Sequence, residues 1–367
     1  MFNYNHYVPV VRWKRGEQTA LELVDPTLKN SMTPLIEIPP IPWDFENEMP
    51  KKTIDKHLEN IGAQVKTSWN HEGPVFVDAL QVCSEDDEQM QDGRHPLEFI
   101  IDEIQTNGIT AIPVTGSQRG SNYQQAVKGI LARYNDGICF RLEDDDFDEL
   151  NQNVNQLLQF FNVTTEETDL IIDYKYIDAG HETRTARLVI GTISTLPYLA
   201  EWRTLTFCGT AFPTDLGQVS TGTDGSIPRT EWLIYKRIMS ANLSRLPSFG
   251  DYIISNPSYI EVDPRYIQMA AGIRYTVADK FLIFRGYSVR SPKHNGWGQT
   301  KGLCQRIIDH PKYLGQNYSY GDGYIYGCAQ GTERTGNPET WRKVGTNHHL
   351  TLAVKEISNL HAASTID

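Results

Sequence analysis

Asp169-Leu170-Ile171-Ile172-Asp173-Tyr174-Lys175 is a short apolar run that ends in an acid, an aromatic and a base. Three upstream segments share its build: Pro34-Leu35-Ile36-Glu37-Ile38-Pro39, Val75-Phe76-Val77-Asp78-Ala79-Leu80 and Ile138-Cys139-Phe140-Arg141-Leu142-Glu143. Each is continuously apolar rather than alternating, as a parallel strand covered on both faces should be. Charges at the C-terminal edges of such strands predict polar groups delivered to one end of a barrel.

Working outward, strand-like runs recur near 6–13, 34–38, 74–80, 109–115, 137–142, 169–174, 203–208 and 251–255. Segments of helical spacing separate them, near 17–24, 51–69, 95–107, 121–134, 146–161, 184–199 and 229–244. Strands alternating with helices imply right-handed crossovers. Eight such units in about 250 residues is the size of a closed (β/α)8 TIM-type barrel, predicted over residues 1–256. An open doubly wound sheet is the competing architecture, but the first strand is not followed by a Gly-rich phosphate fingerprint.

The character changes after Asn256. Residues 273–277 and 280–285 read as a hairpin around Ala278-Asp279. A polar loop over 286–299, a short helix over 300–310, a Tyr/Gly-rich stretch over 316–327 and a helix from Pro338 to Leu360 follow. Residues 257–367 are thus expected to form a β-rich and helical subdomain packed on the barrel.

The formal net charge of −12 disfavours broad nucleic-acid binding. No apolar run approaches the roughly 18 residues of a membrane span, and the N-terminus lacks the regions of a signal peptide, so a cytoplasmic location is expected. Five scattered cysteines without a CxxC pair argue against structural zinc and a disulfide framework.

In such a barrel, function gathers at the C-terminal strand ends. Those ends offer Glu37, Asp78, Arg141, Glu143, Asp173 and Lys175 as candidate catalytic residues. Alternation places Arg141 with Glu143, and Asp173 with Lys175, on shared faces. Grouped carboxylates suit Mg²⁺ or Mn²⁺, and the bases suit an oxyanion. Arg12, Lys14, Thr210 and Asn256 are candidate ligand-binding residues at other strand ends. Arg342 and His349 are candidates on one face of the last helix. Charged side chains that merely pair within the barrel would look the same in sequence.

Two stretches carry a resemblance. Tyr7-Val8-Pro9-Val10-Val11-Arg12-Trp13-Lys14, with Glu17, Leu21 and the run 34–38, is similar to the opening of the "beta protein" family of phage and bacterial genomes. Thr340-Trp341-Arg342-Lys343-Val344-Gly345-Thr346-Asn347-His348-His349-Leu350 resembles that family's closing motif. The resemblance implies a phage-linked or bacterial defence-linked setting, and it assigns neither a reaction nor catalytic residues. The expected function is recognition of a small anionic ligand or a partner protein, with metal-dependent phosphoester hydrolysis at the barrel mouth as its sharpest form. The alternative is a non-enzymatic scaffold that docks a partner through its C-terminal region.

Overall fold

A computed structural model describes residues 2–259, 263, 265, 266 and 268–364, the last three by backbone alone. Its strands are β1 (Tyr7–Arg12), β2 (Leu35–Glu37), β3 (Trp43–Asp44), β4 (Met49–Pro50), β5 (Val75–Asp78), β6 (Ala111–Thr115) and β7 (Ile138–Leu142). They continue with β8 (Thr168–Tyr176), β9 (Thr204–Thr210), β10 (Asp224–Pro228), β11 (Ser248–Asp251), β12 (Ala270–Val277) and β13 (Lys280–Ser288). Eight close into a barrel in the order β1-β2-β5-β6-β7-β8-β9-β11, and β11 returns to β1. All eight pairings are parallel. The chain is a TIM-type α/β barrel, as its apolar periodicity predicts.

Side-chain alternation divides each barrel strand between two cores. Val8, Val10, Leu35, Phe76, Ile112, Val114, Cys139, Ile171 and Cys208 fill the interior. Tyr7, Val11, Ile36, Val77, Phe140, Ile172 and Phe207 face the outer helices. Along the interior face, the residue after the last apolar one is Arg12, Glu37, Asp78, Arg141 or Asp173. The polar layer at the mouth is therefore the continuation of the buried interior stripe.

The eighth strand lies earlier than expected. Ser248-Phe249-Gly250-Asp251 forms it, whereas the more apolar Tyr252-Ile253-Ile254 is the turn that follows, with Ile253 at φ 61°. A strand this short, with a glycine in it, carries little periodic signal. Gly250 is there because a Cβ would meet Val8 O at 2.8 Å.

The expected boundary at Asn256 is crossed in both directions. The added sheet, β10-β13-β12, takes β10 from the segment after β9. The helix Pro338–Ser364, beyond the boundary, packs on the barrel, with Leu350, Ala353, Val354 and Ile357 in the main core. It lies beside the helix Arg15–Glu22: Asn347 Nδ2 donates to Ala20 O at 3.1 Å, and Arg342 pairs with Glu17 at 3.4 Å. It thus acts as the eighth outer helix, and residues 252–337 form an excursion between strand and helix. Its other side, through Trp341 and Val344, meets a second core of Ala271, Ile273, Tyr275 and the helices Thr300–Ile308 and Tyr320–Gln330. Serving two cores at once leaves this helix without a polar face in its middle.

Candidate active site at the barrel mouth

Arg141 stands at the centre of the mouth, fully enclosed. Its Nη1 donates to Glu37 Oε1 at 3.2 Å and to Asp78 Oδ2 at 2.8 Å. Its Nε and Nη2 reach Asp173 Oδ2 at 2.9 and 2.8 Å, and Nη2 also donates to the Tyr252 hydroxyl at 2.5 Å. The five N–H groups of a guanidinium are all occupied. Arg119, from the loop after β6, adds a second guanidinium on Asp78 Oδ2 at 2.9 Å. Arg12 approaches Glu37 Oε2 at 3.9 Å and otherwise donates to the Asn256, Pro257 and Ser258 carbonyls.

Glu37, Asp78, Arg141 and Asp173 thus converge as the strand ends predict. Glu143 and Lys175 sit further out and pair with each other at 2.5 Å. Lys175 does not share a face with Asp173 through simple alternation. The β8 register shifts between Asp173 and Tyr176, Lys175 adopts φ 49°, and its amide folds back onto Asp173 Oδ1 at 2.8 Å. Bulges of this kind re-aim side chains beside active sites.

Above the cluster lies a cavity of about 390 Å³. Glu37, Asp78 and Arg141 floor it; Gln81, Glu143, Asp144, Lys175, Tyr252 and Tyr259 are among its walls. It adjoins a second cavity of about 520 Å³ that shares Asp144, Tyr174 and Tyr176 and reaches His181.

The two floor carboxylates are driven apart. Burial raises both, but Asp78 faces Arg119 and Arg141 and is held below the usual carboxylate range. Glu37 has Arg141 alone at hydrogen-bond distance, and burial prevails, lifting it above the ordinary glutamate value. Divergent pairs of this sort mark acid and base roles.

The carboxylates do not fit a divalent cation. Both Asp78 oxygens are taken, by Leu80 N and by the guanidinia, and both Asp173 oxygens by Lys175 N, Arg141 and Tyr252. Among the described residues, no group of three or more His, Cys, Asp or Glu is placed to hold a metal. Glu37 Oε2 is the cluster's carboxylate oxygen without a hydrogen bond among these residues.

The remaining candidates lie around the mouth. Lys14 Nζ bonds the Tyr259 hydroxyl at 3.2 Å. Thr210 accepts from Phe212 N at 3.0 Å, and Asn256 donates to Phe212 O at 2.8 Å, so both brace the loop after β9. Arg342 donates to Ile254 O and Ser255 Oγ at 3.1 and 2.9 Å. His349 is not on a surface. It is fully buried, with Nε2 bonded to Asp251 Oδ2 at 2.8 Å and Nδ1 to the Thr276 hydroxyl at 3.0 Å. Its neighbours are structural, and it is out of a ligand's reach.

Sequence reasoning missed Tyr252 and Arg119. Tyr252 was hidden by the displaced eighth strand. Arg119, in Gly116-Ser117-Gln118-Arg119-Gly120, had a usable signal: a lone arginine in a small-residue loop at the barrel's functional end.

A parallel eight-stranded barrel with a polar cavity at its C-terminal end places the protein among TIM-type barrels with an active-site-like mouth. More narrowly, the chain belongs to the Beta protein family, whose sequence model matches residues 7–355. No curated protein matches it. No helix among the described residues is long and apolar enough to cross a membrane.

Proposed function

We propose that the barrel mouth binds a small polar ligand with an anionic group, and that Glu37 transfers a proton to it in phosphoester hydrolysis. The observation that carries this reading is Glu37 itself: a carboxyl that burial pushes above the ordinary glutamate value, lining a cavity, with one oxygen free of hydrogen bonds among the described residues. An upward shift of this kind suits a general acid, which must hold its proton in order to donate it. Asp78, Asp173 and Arg141 hold one another and fix the floor rather than react. Lys175 and Lys14 offer charge at the edge. Because the carboxylates are taken by guanidinia, this chemistry draws on no cation held by the cluster. A phage-linked or defence-linked setting enters through family resemblance alone, since the fold by itself does not assign a reaction.

The scaffold alternative draws on the exposed Tyr287, Leu314, Tyr320 and Tyr326 of the added layer. Hydrolysis of p-nitrophenyl phosphate and bis-p-nitrophenyl phosphate, with and without Mn²⁺, decides between them. The expected result is turnover that EDTA does not abolish and Glu37→Gln does. Absence of turnover by the folded wild-type chain on either substrate would leave the scaffold reading.

A further inference from the structure

One face of β12 packs on the second core through Ala271, Ile273, Tyr275 and Val277. The other face, Gly272, Arg274 and Thr276, turns toward the barrel, as the Thr276–His349 bond shows. Arg274 therefore lies in the crevice between the added sheet and the loops after β9 and β11. Its guanidinium sits 5.3 Å over the Phe212 ring. Its Nε is buried without a hydrogen-bond partner. Among the described residues its side chain makes no hydrogen bond or ion pair. Arg274 as a whole is half-buried, so the unmet hydrogen-bonding capacity lies at the inner, Nε edge of its guanidinium.

A second guanidinium makes the deficit larger. Arg342 stands close enough that, after burial, its charge is the next cause lowering Arg274 to about 9. The opposing carboxylate is Glu17, which Arg342 contacts at 3.4 Å. Glu17 is itself pushed up by burial, and Arg342 is its ion-pair partner. Lys14 and Arg12 also act on Glu17 with positive charge. A chain of net charge −12 thus concentrates cations here around one buried acid. The place is also apt: the crevice borders the ends of the seventh and eighth barrel strands, where barrels of this class commonly seat phosphate groups.

We propose that this crevice is an oxyanion site, in which Arg274 and Arg342 together bind a phosphate or carboxylate group. The Phe212 ring lies under the Arg274 guanidinium and leaves its Nη groups for the anion. Arg342 is braced by Ile254 O and Ser255 Oγ and contributes the second cation. The site does not depend on proton transfer by Glu37. It stands even if the mouth turns nothing over.

The test uses the full-length chain and two probes, inorganic phosphate and citrate, against sodium chloride of equal ionic strength. Thermal melts and titration calorimetry are read for wild type and for Arg274→Met, which keeps the packing on Phe212 while removing the charge. Phosphate, citrate or both should raise the wild-type melting temperature above the chloride control. Phosphate alone would assign a phosphoryl group, and both would assign a general oxyanion. Arg274→Met should weaken binding by about tenfold or more and should melt no lower than wild type without anion. Arg274→Lys should retain part of the affinity. The proposal is overturned if neither probe exceeds the chloride control with wild type, or if Arg274→Met binds as wild type does. It is equally overturned if Arg274→Met melts well below the anion-free wild type, since Arg274 would then be a structural residue already satisfied.

Discussion

The Tyr252 hydroxyl donates to Asp173 Oδ2 at 2.6 Å while accepting from Arg141 Nη2 at 2.5 Å. One phenol thus joins the loop after the eighth barrel strand to the charged layer at the ends of the fifth and sixth, β7 and β8. Tyr252→Phe strands a guanidinium N–H and a carboxylate lone pair together. The expected loss is about 1–3 kcal/mol, the usual cost of buried groups left unpaired. Arg141→Met removes the hub and leaves three carboxylates facing one another, and should cost at least about 3–5 kcal/mol. Urea unfolding of both variants measures the difference.

The proposed role of Glu37 as general acid predicts a pH dependence. A general acid works only while protonated, so the rate should fall as pH rises through the Glu37 value. That value lies above the ordinary glutamate range because burial opposes the anion. In Glu37→Gln this alkaline limb should vanish along with most of the rate, at unchanged melting temperature. A limb that survives the substitution assigns the titration to another group.

Glu231 predicts an effect on stability of its own. Burial raises its carboxyl from 4.5 to about 8. The folded chain therefore holds a proton that the unfolded chain releases above about 4.5. The stability this confers is full below that value and is lost as pH rises through about 8. Glu231→Gln should match wild type near pH 4 and exceed it near pH 9 by on the order of 4 kcal/mol. Parallel melts at the two pH values are the measurement, and equal alkaline slopes would contradict it.

Asp251 and His349 link the eighth strand to the last helix. Asp251 is buried, yet His349 and the Tyr7 hydroxyl at 2.6 Å keep its carboxyl below the usual range. A double-mutant cycle on Asp251→Asn and His349→Gln should return a coupling of about 1–3 kcal/mol. Additive effects would mean the contact contributes nothing.

The barrel was legible because buried parallel strands leave long apolar runs, and β5, β7 and β8 keep such runs intact. The converging Glu37, Asp78, Arg141 and Asp173 were legible for the same reason: each ends an interior stripe whose parity the sequence displays. What escaped had no periodic trace. β11 is four residues with a glycine in it, so the neighbouring Ile253-Ile254 outweighed it. The bulge at Lys175 is a backbone event without a residue signature, since lysine seldom takes positive φ. The burial of His349 follows from two layers clasping one helix, a tertiary fact that a lone helical pattern does not carry. Arg274 escaped because its significance is a missing partner.

The last helix also dictates when this protein can exist during its own synthesis. Its Leu350, Ala353, Val354 and Ile357 cover the side of the barrel beside the helix Arg15–Glu22, more than 300 residues upstream. Until that helix leaves the ribosome, the first helix has only the helix Ile61–Trp69 of its two packing neighbours. A nascent chain stopped after Asn256 would hold all eight strands yet leave that flank bare. Nascent chains of that length should recruit chaperones and yield to protease, and release of the final turn should seal the ring in one late step.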